Sequence, residues 1–220
     1  MTPKEQASNA HRERTLVALL ASPPTTSGGR TMRGVETALP LTGCTRLLVA
    51  NLYPNPSRDI PSLNQEGSES KAWLQARPQL QQAVGAADEV LAGWGLSPLT
   101  GSARRNRAAQ IAWLMDLITS LGHDHLWTVG GLPRHPSRWH QYVSDKHQRT
   151  APGTFAQRLG QVLVRVPLET AHGGPEIHPS DREPSPPLQS ARTQEPAPLH
   201  AYASTAPRRV HPFDPAGQLA

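Results

Sequence analysis

Thr15 to Ala21 reads Thr-Leu-Val-Ala-Leu-Leu-Ala, a nearly unbroken apolar run stopped at once by Ser22-Pro23-Pro24. A strand with one wet face alternates polar and apolar side chains. A run of this length without alternation, closed by prolines, fits a strand covered on both faces. Such strands belong to parallel sheets flanked by helices, and this one constrains the fold more than any other stretch.

Three further runs repeat the pattern. Cys44 to Ala50, Asp88 to Ala92 and His125 to Val129 each predict a strand, and a last one is expected over 161–166 before Pro167. Between them lie helical patterns: Thr31 to Leu41, with Met32, Val35, Ala38 and Leu39 on one side; Trp73 to Val84, which Pro78 should kink or begin; and Ala103 to Leu121. The stripe of that last helix is expected at Ala108, Ile111, Met115 and Ile118, widened by Leu114 and Leu117, with Gly122 as stop. Thr154 to Leu159 predicts a short helix, and Asn55 to Glu66 a polar loop. Strand and helix therefore alternate at spacings that suit right-handed crossovers. The expected fold is α/β, a three-layer sandwich around a short, mostly parallel sheet of four or five strands.

The skews of composition lie at the ends. Residues 1–13 are polar and without periodicity, a flexible lead-in. Beyond residue 168 apolar runs vanish and prolines recur at 175, 179, 184, 186, 187, 196, 198, 207, 212 and 215. A segment of that kind cannot recover its ordering entropy, so 169–220 is expected to be a disordered Pro-rich tail, able to recruit a protein partner in extended form. One α/β domain over 14–168 remains.

Net charge of +5 favours anionic partners, nucleotide, nucleic acid or phosphorylated ligand, with a solvated basic surface as the plainer alternative. The single cysteine, Cys44, excludes an internal disulfide framework and reads as a small apolar filler in a buried strand. The histidines at 123, 125, 135, 140 and 147 match no metal-ligand spacing, so neither metal nor cofactor is expected. No apolar run is long enough to span a membrane and none of signal type stands near Met1, so no membrane partner and a cytoplasmic location are expected.

In an open α/β sheet, ligands gather beyond the carboxyl ends of the strands. Those ends here carry Ser22 and Thr25, Asn51 and Tyr53, Trp94 between two glycines, and the run Arg134-His135-Pro136-Ser137-Arg138. Pro133 and Pro136 stiffen that last run and hold Arg134-His135 extended. An imidazole flanked by guanidiniums on a stiff loop is a candidate site for an anionic ligand. Each residue also has a plainer role: His135 as a surface histidine, Asn51 as a loop tie, Trp94 as core. Arg104, Arg105 and Arg107 crowd the first turn of the long helix, where cations oppose the macrodipole; they are either a solvated helix end or a phosphate site. Ser22 and Ser137 lack an adjacent base, which disfavours covalent catalysis.

Taken in order, Leu-Leu-Ala-Ser-Pro-Pro-Thr (19 to 25), Leu-Val-Ala-Asn-Leu-Tyr-Pro (48 to 54), Val-Leu-Ala-Gly-Trp-Gly (90 to 95) and Pro-Arg-His-Pro-Ser-Arg (133 to 138) resemble the bacterial and phage family called domain of unknown function 1643. The family name implies no activity. Ser22 and Pro24 depart from its usual Asn-Pro-Ser-Thr motif, and Gly28, Gly29 and Arg30 stand where an aspartate is usual. The layout is also similar, at fold level, to uracil-DNA glycosylases. That second resemblance implies His135 as a donor to a leaving base, Asn51 as the reader of the base edge, Tyr53 or Trp94 as a stacking ring, and Arg134 or Arg138 on phosphate. The carboxylate that such an enzyme uses to orient water is missing from the first motif. The sequence thus points to a nucleotide- or nucleic-acid-binding crevice, a glycosylase-like hydrolase of base–sugar bonds or a catalytically inactive binding protein.

Overall fold

The apolar run forms β1 (Thr15–Leu20), buried along its whole length in a computed structural model that describes residues 13–168. Its side chains divide between two cores. Leu16, Ala18 and Leu20 pack with Val35 and Ala38 of α1 (Gly29–Leu41), with Trp139, and with Leu159 of α7 (Phe155–Val162). Val17 and Leu19 face the other way, toward Leu63 of α2 (Ile60–Glu66), Trp73 of α3 (Ser70–Gln75), Leu80 of α4 (Arg77–Gly85) and Leu114 and Ile118 of α5 (Gly101–Ser120). The molecule is a three-layer α/β sandwich.

The sheet has five strands in the order β2-β1-β3-β4-β5, with β2 (Arg46–Asn51), β3 (Glu89–Gly93) and β4 (His125–Val129) parallel to β1 in sequence. β5 (Leu163–Pro167) runs antiparallel to β4. After β1 the chain moves to one side, and after β2 it crosses to the other. A crevice therefore opens between the carboxyl ends of β1 and β3, where the direction of winding changes.

Local chemistry moves several element boundaries. The expected loop over 55–66 contains α2, because Asp59 Oδ1 accepts a hydrogen bond from Ser62 N at 2.9 Å and Pro61 sits in the first turn, where its missing N–H costs nothing. The helix expected over 73–84 is two helices, α3 and α4, meeting at Ala76 ahead of Pro78. On α5 Ala108 is exposed, and the buried face includes Gln110 instead. That amide is fully employed: Nε2 donates to Leu52 O at 3.3 Å and Trp73 O at 3.1 Å, and Oε1 accepts from Arg77 Nε at 3.1 Å. α7 opens on a capping box between Thr154 and Gln157 and runs through Val162, the backbone turning extended only at Leu163, so β5 starts later than the apolar pattern predicted. Cys44 is buried just before β2, and burial pushes its thiol pKa up. The Pro-rich segment 169–220 and the polar lead-in over 1–12 lie outside the described residues.

The amino end of the sheet, away from the crevice, is tied by Glu89. This carboxylate is buried and accepts from Arg14 Nη2 at 2.5 Å and from Trp127 Nε1 at 2.8 Å, joining the start of β1 to β3 and β4. Next to it Asp88 Oδ2 accepts from Thr15 N at 2.8 Å. Removing the Glu89 carboxylate strands a cation and an indole N–H. Glu89→Ala is expected to cost about 2 kcal/mol in urea denaturation, and Glu89→Gln less, since its amide oxygen still serves Trp127. Equal stability of all three proteins would show that the tie contributes nothing.

Candidate functional site

A cleft of about 740 Å³ opens at the carboxyl ends of the strands, within the size range of small-ligand pockets. Its walls come from distant parts of the chain. Ser22 and Thr25 follow β1, Asn51 ends β2, Trp94 follows β3, and Arg134, His135, Ser137 and Arg138 follow β4. The structure therefore brings these eight candidate residues to one concavity.

The His135 loop is held down by glycines. β4 ends at Val129, and Gly130 and Gly131 take φ of 61° and 73°, the left-handed pair of a type I′ turn. A side chain at Gly130 would overlap Tyr142 Oη. Pro136 is buried against Gly34 of α1 and Gly93 of β3, where an added β-carbon would lie 3.2 and 3.3 Å from the proline ring. A β-carbon on Gly95 would lie 3.2 Å from that of His135. Two hydrogen bonds complete the seat: Gly95 N donates to Pro133 O and Trp139 Nε1 to Arg134 O, both at 2.7 Å. The backbone at His135 is extended, φ −64° and ψ 133°, as the flanking prolines predict.

This seating fixes the imidazole. Ser137 N donates to His135 Nδ1 at 3.3 Å, and Ser137 Oγ lies 2.8 Å from the same nitrogen. A backbone N–H can only donate, so Nδ1 accepts and the neutral ring carries its proton on Nε2. Burial, and secondly the charge of Arg138, hold the His135 pKa below the ordinary 6.5. At neutral pH the site thus presents an uncharged N–H donor rather than a cation.

Two polar atoms at the cleft have no partner. Asn51 Oδ1 and Arg134 Nε are both buried without a hydrogen bond, each an omission that costs about 1–3 kcal/mol. The cleft is also unbalanced in charge. Arg58, Arg107, Arg134, Arg138 and Arg149 line it, against one carboxylate, Asp59. Among the described residues the ion-paired arginines are Arg14, Arg158 and Arg165, none of which lines the cleft. Asp59 is exposed, and its hydrogen bonds from Ser62 N and Oγ keep its pKa low. The N-terminus of α1 opens here too: Gly28, Thr31 and Met32 line the cleft, and no side chain caps the helix.

Other candidate residues are placed differently. Tyr53 turns inward, 2% exposed; its hydroxyl donates to Glu66 O at 3.0 Å and its ring stands 5.1 Å from that of Trp73, so it is a core residue and not a stacking platform. Arg107 lines the cleft, but its guanidinium is taken by the carbonyls of Trp94, Gly95 and Ser97, which makes it a clamp on the Trp94 loop rather than a phosphate group's partner. Arg104 and Arg105 are exposed away from the cleft, and Arg105 Nη2 donates to Ser102 Oγ at 2.9 Å. Trp94 is both things at once, 7% exposed in the core and yet at the cleft wall. Arg58, Asp59, Tyr142, His147 and Arg149 were not legible as cleft residues; the stretch Asp145-Lys146-His147 reads in the sequence as a charged loop and nothing more. No group of three metal-ligating side chains occurs among the described residues, and no helix there is long and apolar enough to cross a membrane.

No protein-family model, curated protein or solved structure matches this chain. The four loop motifs and the geometry of the cleft are the ground for any functional assignment.

The protonation of His135 can be measured directly. An NMR titration of its ring protons is expected to show a midpoint below 6.5. Because burial is the larger cause, Arg138→Gln should raise that midpoint only part of the way. The unfolded chain holds this proton more tightly, so the residue's contribution to stability falls as pH drops through 6.5 and levels off below the folded midpoint. A midpoint at or above 6.5 would contradict the neutral-donor assignment.

Proposed function

We propose that the cleft binds a nucleotide or nucleic acid, with His135 as its neutral hydrogen-bond donor. The observation that carries this reading is the set of cleft arginines Arg134, Arg138 and Arg149, none of them ion-paired, with only Arg58 beside a carboxylate, that of Asp59. Arg134 is half-buried and the other three are exposed; like charges gathered around one concavity repel one another, and an anionic ligand offsets that repulsion. The uncapped start of α1 adds N–H groups of the same polarity. Asn51 contributes an amide whose Oδ1 has no hydrogen bond, an acceptor for a donor on a base edge, and Trp94 an aromatic wall.

A reaction is a further step of the same reading. A neutral imidazole N–H aimed at a leaving base stabilises the charge that grows there when a base–sugar bond breaks. The attacking water then needs a carboxylate, and among the cleft residues described that role falls to Asp59. Asp59 already caps α2 through Oδ1, with Oδ2 left over. That prior engagement favours the second reading, binding without hydrolysis.

Binding of nucleotides, single-stranded and duplex DNA, and uracil-containing oligomers by the wild type, His135→Ala and Arg138→Ala tests both. Affinity is expected to fall about tenfold in each folded variant. Release of free base by the wild type, lost in both His135→Ala and Asp59→Asn, identifies the hydrolase; binding without release identifies a binding protein. Unchanged binding in both folded arginine and histidine variants removes the site.

A further inference from the structure

Tyr142, in α6 (Trp139–Tyr142), carries two guanidiniums on one ring. Arg134 Cζ lies 4.2 Å from the ring centroid and Arg149 Cζ 4.5 Å. Arg149 Nη1 also donates to Tyr142 O at 3.2 Å, so that side chain is pinned twice. The ring itself is backed by Gly130, which leaves no room for any other residue at that turn. Arginines stacked in this way keep their flat, forked donors in fixed directions. Neither is ion-paired, and Arg134 Nε is buried without an acceptor.

Such an assembly is costly unless something negative sits on it. A ring can hold two cations apart, but it is no acceptor for their N–H groups: the Tyr142 carbonyl takes one from Arg149, and Arg134 Nε has none. The missing partner is therefore rich in oxygen acceptors and carries more than one charge. A phosphate monoester has three such oxygens and a charge of about −1.5 to −2 at neutral pH, whereas an internal phosphodiester carries a single charge. The cleft's volume of about 740 Å³ also suits one nucleotide rather than a strand.

We propose that Arg134, Tyr142 and Arg149 form a subsite for the terminal phosphate of a mononucleotide, which makes the ligand of the cleft a nucleoside monophosphate rather than a nucleoside or an internal stretch of nucleic acid. This rests on the reading of the cleft as a nucleotide site and decides its ligand class. Arg138 and His135 line the same cleft and remain for the rest of the nucleotide.

Calorimetric titration with the four nucleosides, their 5′-monophosphates, inorganic phosphate and a short single-stranded oligonucleotide lacking terminal phosphates tests the assignment. At least one monophosphate is expected to bind tighter than its nucleoside, with inorganic phosphate competing against it. Arg149→Gln, at an exposed position, should weaken monophosphate binding roughly tenfold to a hundredfold and leave the nucleoside unaffected. Arg134→Gln should act in the same direction, and Arg149→Lys, which keeps the charge and loses the flat face, should fall between. If monophosphates bind and Arg149→Gln changes nothing, the subsite is wrong while the cleft stands. If the oligonucleotide binds as tightly as the monophosphate and loses as much in Arg149→Gln, the terminal-phosphate assignment is overturned. If nothing in the panel binds, the nucleotide reading of the cleft falls and the subsite with it.

Discussion

The seating of Pro136 against Gly34 and Gly93 is the contact on which the rest of the cleft depends. It presses the loop after β4 onto the sheet and against α1, between two positions that carry no side chain. Trp139, buried next to it, then ties its indole N–H to Arg134 O and closes the loop from the other side. Everything chemical on this loop inherits its position from that packing. The His135 ring is aimed because its backbone is extended and its Nδ1 is engaged by Ser137; Arg134 is aimed because its carbonyl is held and its guanidinium lies on Tyr142. Rigidity of this sort is what a polar site needs, since a donor that must be frozen on binding gives back much of its interaction energy as entropy.

The two ends of the sheet treat polar groups in opposite ways. At the amino end the buried Glu89 and its neighbour Asp88 are matched to a guanidinium, an indole N–H and a backbone N–H. At the carboxyl end an amide oxygen and a guanidinium nitrogen are buried unmatched, and five arginines gather around a single carboxylate, Asp59. One protein contains both arrangements within the length of a strand. The contrast argues that the imbalance at the cleft is local to a binding surface rather than a general looseness of the fold, because unsatisfied buried groups cluster where function requires them.

The fold was largely legible because the signals that specify it are short-range. Unbroken apolar runs announce strands covered on both faces, and β1 and β3 are buried along their whole lengths. What could not be read were features decided by tertiary partners. Tyr53 looks like a loop aromatic in the sequence, and only the presence of Trp73 and the Glu66 carbonyl turns it inward. Arg107 differs from Arg104 and Arg105 by its place on the helix surface, which brings it to three carbonyls of a loop 10 to 13 residues back. α2 begins at an Asp-Ile-Pro sequence whose capping geometry is local, so a closer reading of the cap could have found it. Arg149 and Tyr142 carry no such local mark; their relation to Arg134 exists only once the segment after β4 has folded back over the cleft.

Every strongly basic group lining the cleft is an arginine, and no lysine takes part. A guanidinium does not release its proton anywhere in the range where proteins survive. The positive wall is therefore a constant of the molecule, indifferent to acidity, and it cannot be acetylated away. What remains adjustable is small: the His135 imidazole, which burial holds toward its neutral form, and the Asp59 carboxylate, which the Ser62 hydrogen bonds hold toward its charged form. The acidity of the surroundings reaches the cleft through those two groups and through the ligand's own ionisation.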